Sequence, residues 1–332
     1  MIKLLKKLTK KDWLFVFISV LLIVFQVWLE LKMPDYMSNI TQLVQTKGAD
    51  MKDILKEGSY MLLCALGSLL SAGIVGYFIS GIAASFSFNV REAIFKKVLN
   101  LDTSEIKNFS TSSLITRTTN DITQVEMLIG MGLQLMIKAP ITAAWAITKI
   151  LGKSLEWSMA TAVAVIILIT TIIILMIIVM PRFKIVQNLI DKINSVTREN
   201  LTGISVVHAF NAEEYQNEKF EKANKEMNDL QLKNQKLFAL MQPMMSLSMN
   251  GLSLVIYWLG AILINNIAIE NVADRLTMFS NVIVFSTYAT YVVMSFMMLV
   301  MIFMMLPQAQ VSAERINEVL STKTSIKEGL LT

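Results

Sequence analysis

Four stretches of this sequence carry no charged residue: Gly58 to Val90, Trp157 to Pro181, Leu237 to Ile269 and Leu276 to Ala313. Each exceeds the ~20 residues that take an α-helix across the hydrocarbon core of a bilayer. A chain with several such stretches cannot hide them all in one aqueous core, so lipid is its solvent. Composition points the same way, with 54% hydrophobic and only 17% charged residues. These values argue against a soluble enzyme, a nucleic-acid binder and a secreted disulfide scaffold. The single cysteine, Cys64, cannot close an intrachain disulfide.

Two weaker spans complete a set of six. One runs from Trp13 to Leu29 and is closed by Glu30, and the other from Met127 to Ile150 is interrupted by Lys138 and Lys149. The lysine-rich start has the charge pattern of a signal peptide, but five spans follow and no small-residue cleavage site is visible. Residues 1–12 are instead expected to lie as a basic segment on the inner membrane surface. Placing that segment in the cytoplasm puts residues 84–126, 181–240 and 307–332 there as well. These four segments hold 22 of the 30 Lys and Arg residues, as the positive-inside rule requires. The outer connections would hold only Lys47, Lys52, Lys56, Lys153 and Arg275, and both termini would face the cytoplasm.

The inner connections are long, about 84–126 and 181–240, yet they keep helical patterning and contain almost no Gly or Pro. Ile185, Leu189, Ile193 and Val196 recur at three- and four-residue steps with charges between them. The expected fold class is therefore an all-α membrane protein of six transmembrane helices, with two long helical hairpins projecting into the cytoplasm. The chain divides into a basic elbow (1–12), a six-helix domain (13–306) and a linker (307–332).

Catalytic signatures are sparse. No G-x-x-x-x-G-K-[ST] loop occurs, so the chain does not hold a nucleotide by that route. One histidine, His208, and one cysteine, Cys64, argue against a metal centre or a Cys/His nucleophile pair. No catalytic residue and no metal ligand is expected.

Two hairpin segments carry a family resemblance. Ser110-Thr111-Ser112-Ser113-Leu114-Ile115-Thr116-Arg117-Thr118-Thr119-Asn120-Asp121-Ile122-Thr123-Gln124-Val125 resembles the S-T-G-x-L-I-S-R-x-T-N-D-V-x-Q-V stretch of ABC exporter transmembrane domains. The segment from Arg198 to Tyr215, with Gly203, Val206, Val207, His208, Ala209 and Phe210, is similar to that family's R-E-x-L-x-G-I-R-V-V-K-A-F-x-R-E-x-Y. The tail from Ser312 to Leu320 looks like the family's exit from the sixth helix toward a nucleotide-binding domain. The resemblance implies the six-helix type I exporter fold and one half of an ATP-driven, multidrug-type transporter in a bacterial inner membrane. A homologous half would complete it, with a heterodimer favoured from the pattern around Leu133 to Pro140. ATP and Mg2+ would be held by a nucleotide-binding domain absent from this chain, and the cargo would be an amphiphilic small molecule, lipid or peptide.

The resemblance also places a short coupling helix at each hairpin tip. Phe109 and Leu114 with Ser110, Thr111 and Ser112 would supply an apolar plug and polar rim at the first tip. Val206, Val207, Ala209 and Phe210 with His208, Glu213 and Glu214 would do so at the second. Asp121 followed by Gln124 has the spacing of a capping box for the returning helix. Ser112 stands where the family has Gly, and a left-handed backbone there would be costly. His208 stands where Lys is frequent and is expected to be an exposed polar residue of a docking helix.

The expected cargo chamber rests on methionines and on polar residues within the spans. Met294, Met297, Met298, Met301, Met304 and Met305 share one face of the sixth span, extended outward by Tyr291 and Tyr288. Flexible thioethers can repack around varied apolar ligands, although the same periodicity suits a packed core. Gln134, Lys138 and Trp145 lie near one face of the third span, and a charge within a bilayer usually faces protein or water. Glu30 and Lys32, read as close to the outer end of the first span, are expected to reach the interface instead; were Glu30 and Lys138 both to face the chamber, they would pair with each other or contact charged cargo. The competing reading is an ion-coupled secondary transporter, or another multi-pass protein with no motor. It would call for charged relays in several spans and helices broken by Gly or Pro.

Overall fold

In the computed structural model, residues 2–322 are described except 47, 49, 107, 108 and 152–154. Lys47, Lys153 and the end of the expected linker, 323–332, lie outside the described residues. Among those described, all regular structure is helical. The elements are α1 (Ile2–Leu5), α2 (Lys10–Gln45), α3 (Met51–Leu99), α4 (Thr103–Ile106), α5 (Thr111–Thr118), α6 (Asn120–Met127), a π-helical turn (Leu128–Gly132) and α7 (Leu133–Leu151). They continue with α8 (Leu155–Thr202), α9 (Ile204–Ala209), α10 (Glu213–Ala239), α11 (Met241–Asn266) and α12 (Val272–Ser321). Six helical stretches among the described residues are long and apolar enough to cross a membrane.

Two of the long helices, α2 and α3, start at a side-chain cap. Thr9 and Asp12 form a reciprocal capping box for α2: the Asp12 amide donates to Thr9 Oγ1 at 3.2 Å and the Thr9 amide to Asp12 Oδ2 at 2.7 Å. Asp50 caps α3 by accepting from the Lys52 amide at 3.1 Å. With 49 residues, α3 is about 74 Å long at 1.5 Å per residue, more than twice the hydrocarbon thickness. Half of such a helix must leave the bilayer.

The chain forms two compact units, residues 1–158 with 256–332, and residues 159–255. In the first, α2 packs along α3, and α12 packs on α7 and α2. Small residues let these backbones approach. Ala139, Ala143 and Ala146 on α7 are buried, and Gly260 lies so close to α12 that a Cβ there would stand 2.5 Å from Val282 Cγ2. Beyond the spans, Leu4, Phe86, Val90, Ile94, Ile122, Val125, Ile316 and Val319 form one buried cluster that joins α1, α3, α6 and α12.

In the second unit, α8 and α10 form a stalk held by ion pairs of 2.7 Å, Lys192 to Glu226 and Lys219 to Glu199. These pairs are solvent-facing and contribute little individually.

Candidate functional site

The first hairpin tip is built on α5. Ser110 caps it, accepting from the Ser113 amide at 3.2 Å, so Ser112 sits inside a regular helix turn with no left-handed backbone. The expected cost of replacing glycine there does not arise. Among the described non-glycine residues only Asn211 has a positive φ, 48°, at the second tip and in a residue type that tolerates it.

Phe109 and Leu114 do not project as a plug. Both pack inward against the buried cluster of α3, α6 and α12. The outward apolar residue of this tip is Ile115, 60% exposed. Ser110, Thr111 and Ser112 are exposed as the polar rim. Arg117, whose side chain is 11% exposed, organises the tip. Its guanidinium lies 4.9 Å from the centre of the Phe109 ring, donates to the Arg315 carbonyl at 2.8 Å and meets Glu318 at 2.7 Å. The tip is thereby bound to the end of α12.

Asp121 is not a capping residue. It is buried, accepts from Ser312 Oγ at 3.0 Å and lies 3.9 Å from Arg315 Nη1. No side-chain cap serves α6. The Asp-x-x-Gln spacing imitates a capping box, but the helix begins before it, and burial turns the carboxylate toward α12 instead.

The second tip has the opposite character. On α9 only Val207 turns inward, whereas Val206, Ala209 and Phe210 face out, Phe210 with 79% of its surface exposed. Tyr215 extends the apolar surface. His208 Nδ1 and Glu213 Oε1 are 2.8 Å apart and both exposed. The Glu213 carboxyl is held below the ordinary glutamate range, first by its own backbone N–H at the start of α10 and then by His208.

Within the spans of the first unit, a cavity of about 490 Å³ opens among α2, α3, α7 and α12. Its polar centre is the ion pair that sequence alone leaves as the less favoured alternative for Glu30. Lys138 Nζ is 2.8 Å from Glu30 Oε1, and each side chain is only 16% exposed. The same oxygen accepts from Gln26 Nε2 at 2.8 Å and Ser68 Oγ at 3.2 Å. Glu30 therefore does not reach the interface: α2 runs on to Gln45, and the carboxylate is met from inside by Lys138. Tyr291, Met294 and Met298 line this cavity, but Gln134, Trp145, Met297, Met301 and Met304 do not. Met301 and Met304 are exposed on α12.

Tyr288 also leaves the expected face. It is fully buried and donates to Asp35 Oδ1 at 2.7 Å and to the Leu31 carbonyl at 3.0 Å. Asp35 in turn pairs with Lys149 at 2.8 Å. Two ion pairs thus join α2 to α7. Gln26 Oε1 and Thr142 Oγ1, on two residues of the cavity wall, are buried without a hydrogen-bond partner.

The sequence matches the family model for the ABC transporter transmembrane region over residues 16–296. It is 30% identical over 286 residues to an uncharacterized ABC transporter ATP-binding protein of Mycobacterium bovis, covering 83% of this chain and 46% of that one. A similar protein of Bacillus subtilis, YfiB, is 27% identical, with 84% and 47% covered. An ATP-dependent lipid A-core flippase of Pseudomonas putida is 25% identical over 186 residues, with 55% and 30% covered. The chain spans about half the length of the first two of these relatives. With six spans, two helical hairpins and a family match across most of its length, this chain is a multi-pass membrane protein that belongs to the ABC transporter transmembrane region family.

Proposed function

We propose that this chain forms one half of an ATP-driven exporter, pairing with a homologous half, and that its two hairpin tips dock on nucleotide-binding domains. The exposed Phe210 with Val206 at the end of the α8–α10 stalk carries the reading. A monomer that leaves a large aromatic uncovered at a hairpin tip outside its spans presents a docking residue. ATP and Mg2+ belong to those domains, because this sequence holds no phosphate-binding loop. A heterodimer is the favoured assembly, in a bacterial inner membrane with both termini cytoplasmic.

Cargo is read from the cavity. Its wall combines Met294, Met298 and Tyr291 with a neutralised ion pair, which suits an amphiphile with an apolar body and one polar or charged end. The printed function of the Pseudomonas putida flippase makes a lipid-like amphiphile one member of that class. The test is transport in vesicles with the partner half and motor domains present. Phe210→Ala should keep expression and nucleotide binding while transport and cargo-stimulated hydrolysis fall at least about tenfold, since a central anchor residue contributes ~2 kcal/mol or more. Normal cargo-stimulated turnover would show that the tip is only solvated surface. If transport instead ran without nucleotide and followed a proton gradient, the two ion pairs joining α2 and α7 would be the relay of a secondary carrier.

A further inference from the structure

Between the elbow, the lower half of α3 and the last turns of α12 lies an open groove of about 830 Å³. Among the described residues, its walls carry the side chains of Lys6, Lys7, Lys96 and Lys97 and one carboxylate, Glu92, which is 2.6 Å from Lys96 Nζ. A concave surface with excess positive charge concentrates anions.

The groove has a fixed frame. Leu4 is buried in the same cluster as Ile94 and Ile316. Asn89 Nδ2 donates to the Lys7 carbonyl at 3.2 Å, and Ser85 Oγ donates to Asp12 Oδ2 at 3.0 Å. The elbow backbone is thereby tied to α3, while the Lys6 and Lys7 side chains stay exposed. Thr9, on the groove wall, is followed at successive four-residue steps along α2 by Trp13 and Phe17, both more than half exposed. An apolar stripe therefore climbs from the charged concavity onto a membrane-spanning helix, with a tryptophan at the boundary where indoles favour the headgroup level.

We propose that this groove binds the headgroup phosphate of an anionic phospholipid, with the acyl chains lying along Trp13 and Phe17. A soluble phosphate would use the lysines but has no use for the stripe. A lipid uses both, and it would tie the elbow to α3 and to the end of α12. The proposal rests on the elbow lying at the inner membrane surface.

The test uses the whole chain in mild detergent, mixed with equal amounts of phosphatidylglycerol and phosphatidylcholine, with bound lipid counted by native mass spectrometry. Phosphatidylglycerol should be retained about tenfold over phosphatidylcholine, a ratio within reach of several surface lysines. Replacing Lys6, Lys7, Lys96 and Lys97 together by Gln should reduce that preference below about threefold, and replacing them by Arg should preserve it. A control that removes Lys222, Lys225, Lys233 and Lys236 from α10 should leave it unchanged. An unchanged preference in the Gln variant, an equal loss in the α10 control, or displacement of the lipid by millimolar inorganic phosphate would overturn the proposal. Orientation is tested separately by placing a cysteine at Lys10. Labelling by an impermeant maleimide only in inside-out vesicles is expected. Labelling from the outside would overturn the orientation while the detergent binding result stood on its own.

Discussion

Lys138→Met isolates the energetic centre of the cavity. The ammonium lies 2.8 Å from Glu30 Oε1 and both side chains are 16% exposed, so the substitution leaves a carboxylate without its counter-charge. Removing one partner of a buried pair typically costs about 3–5 kcal/mol. Two donors remain on the same oxygen, Gln26 Nε2 and Ser68 Oγ, and hydrogen bonds to a charged group recover part of that cost. The expected loss is about 2–3 kcal/mol, read by reversible unfolding in mixed micelles. Glu30→Gln with Lys138→Met should recover to within about 1 kcal/mol of the unmodified chain, because a neutral amide keeps the Gln26 and Ser68 contacts, and the coupling energy should be near 2 kcal/mol. The single variant also makes the cavity net negative. Binding of cationic amphiphiles should rise about tenfold and that of anionic ones should fall, whereas Glu30→Gln should act in the opposite direction. Equal stability of the single and double variants, with unchanged ligand preference, would refute the reasoning and place the pair in bulk water.

Three further outcomes follow from the geometry. Gly260→Ala should destabilise by about 1–3 kcal/mol, since its Cβ would stand 2.5 Å from a branched, stiff Val282, and Val282→Ala should restore most of the loss in the same unfolding assay. Gly67→Ala should be milder, because the nearest atom is the flexible end of Leu29 at 2.9 Å. In a carboxyl NMR titration Glu213 should titrate below the ordinary ~4.3. His208→Ala should raise it only part of the way, since the backbone N–H is the larger cause. Because that pKa is depressed on folding, whatever stability the contact contributes is complete above the unfolded value and lost as pH falls through the folded one.

The spans were legible because hydropathy is a local property: a run such as Leu276 to Ala313 declares its solvent whatever it packs against. The pairings were less so: sequence offers Glu30 with Lys138 only as an alternative to two interfacial charges. Glu30 and Lys138 are 108 residues apart, and the short apolar run ending at Leu29 made Glu30 look terminal although α2 continues to Gln45. Asp121 followed by Gln124 satisfied a local rule, while its real partner, Ser312, lies 191 residues away. Periodicity grouped the methionines of α12 on one face without saying how far along the helix the cavity reaches, so Met294 and Met298 line it and Met301 does not. One local signal went unread: Thr9-x-x-Asp12 is a capping box in a segment that appeared to be only basic.

The tips illustrate how one sequence pattern conceals two mechanical designs. Each offers a short helix with apolar and polar residues, so each reads as a plug with a rim. At the first, Arg117 draws Phe109 beneath it and reaches the Arg315 carbonyl and Glu318, while Asp121 holds Ser312. Any displacement of α5 must therefore pull on the last turns of α12 or break these charge-assisted bonds. At the second, Phe210 has no such anchor and stands free at the end of a stalk. Under the proposed docking, a partner at the first tip would act on the helix that lines the cavity through Tyr291, Met294 and Met298. Under the same docking, a partner at the second tip would gain its hold by covering an exposed aromatic, so Phe210→Ala is expected to weaken attachment and Arg117→Ala to weaken transmission through α12.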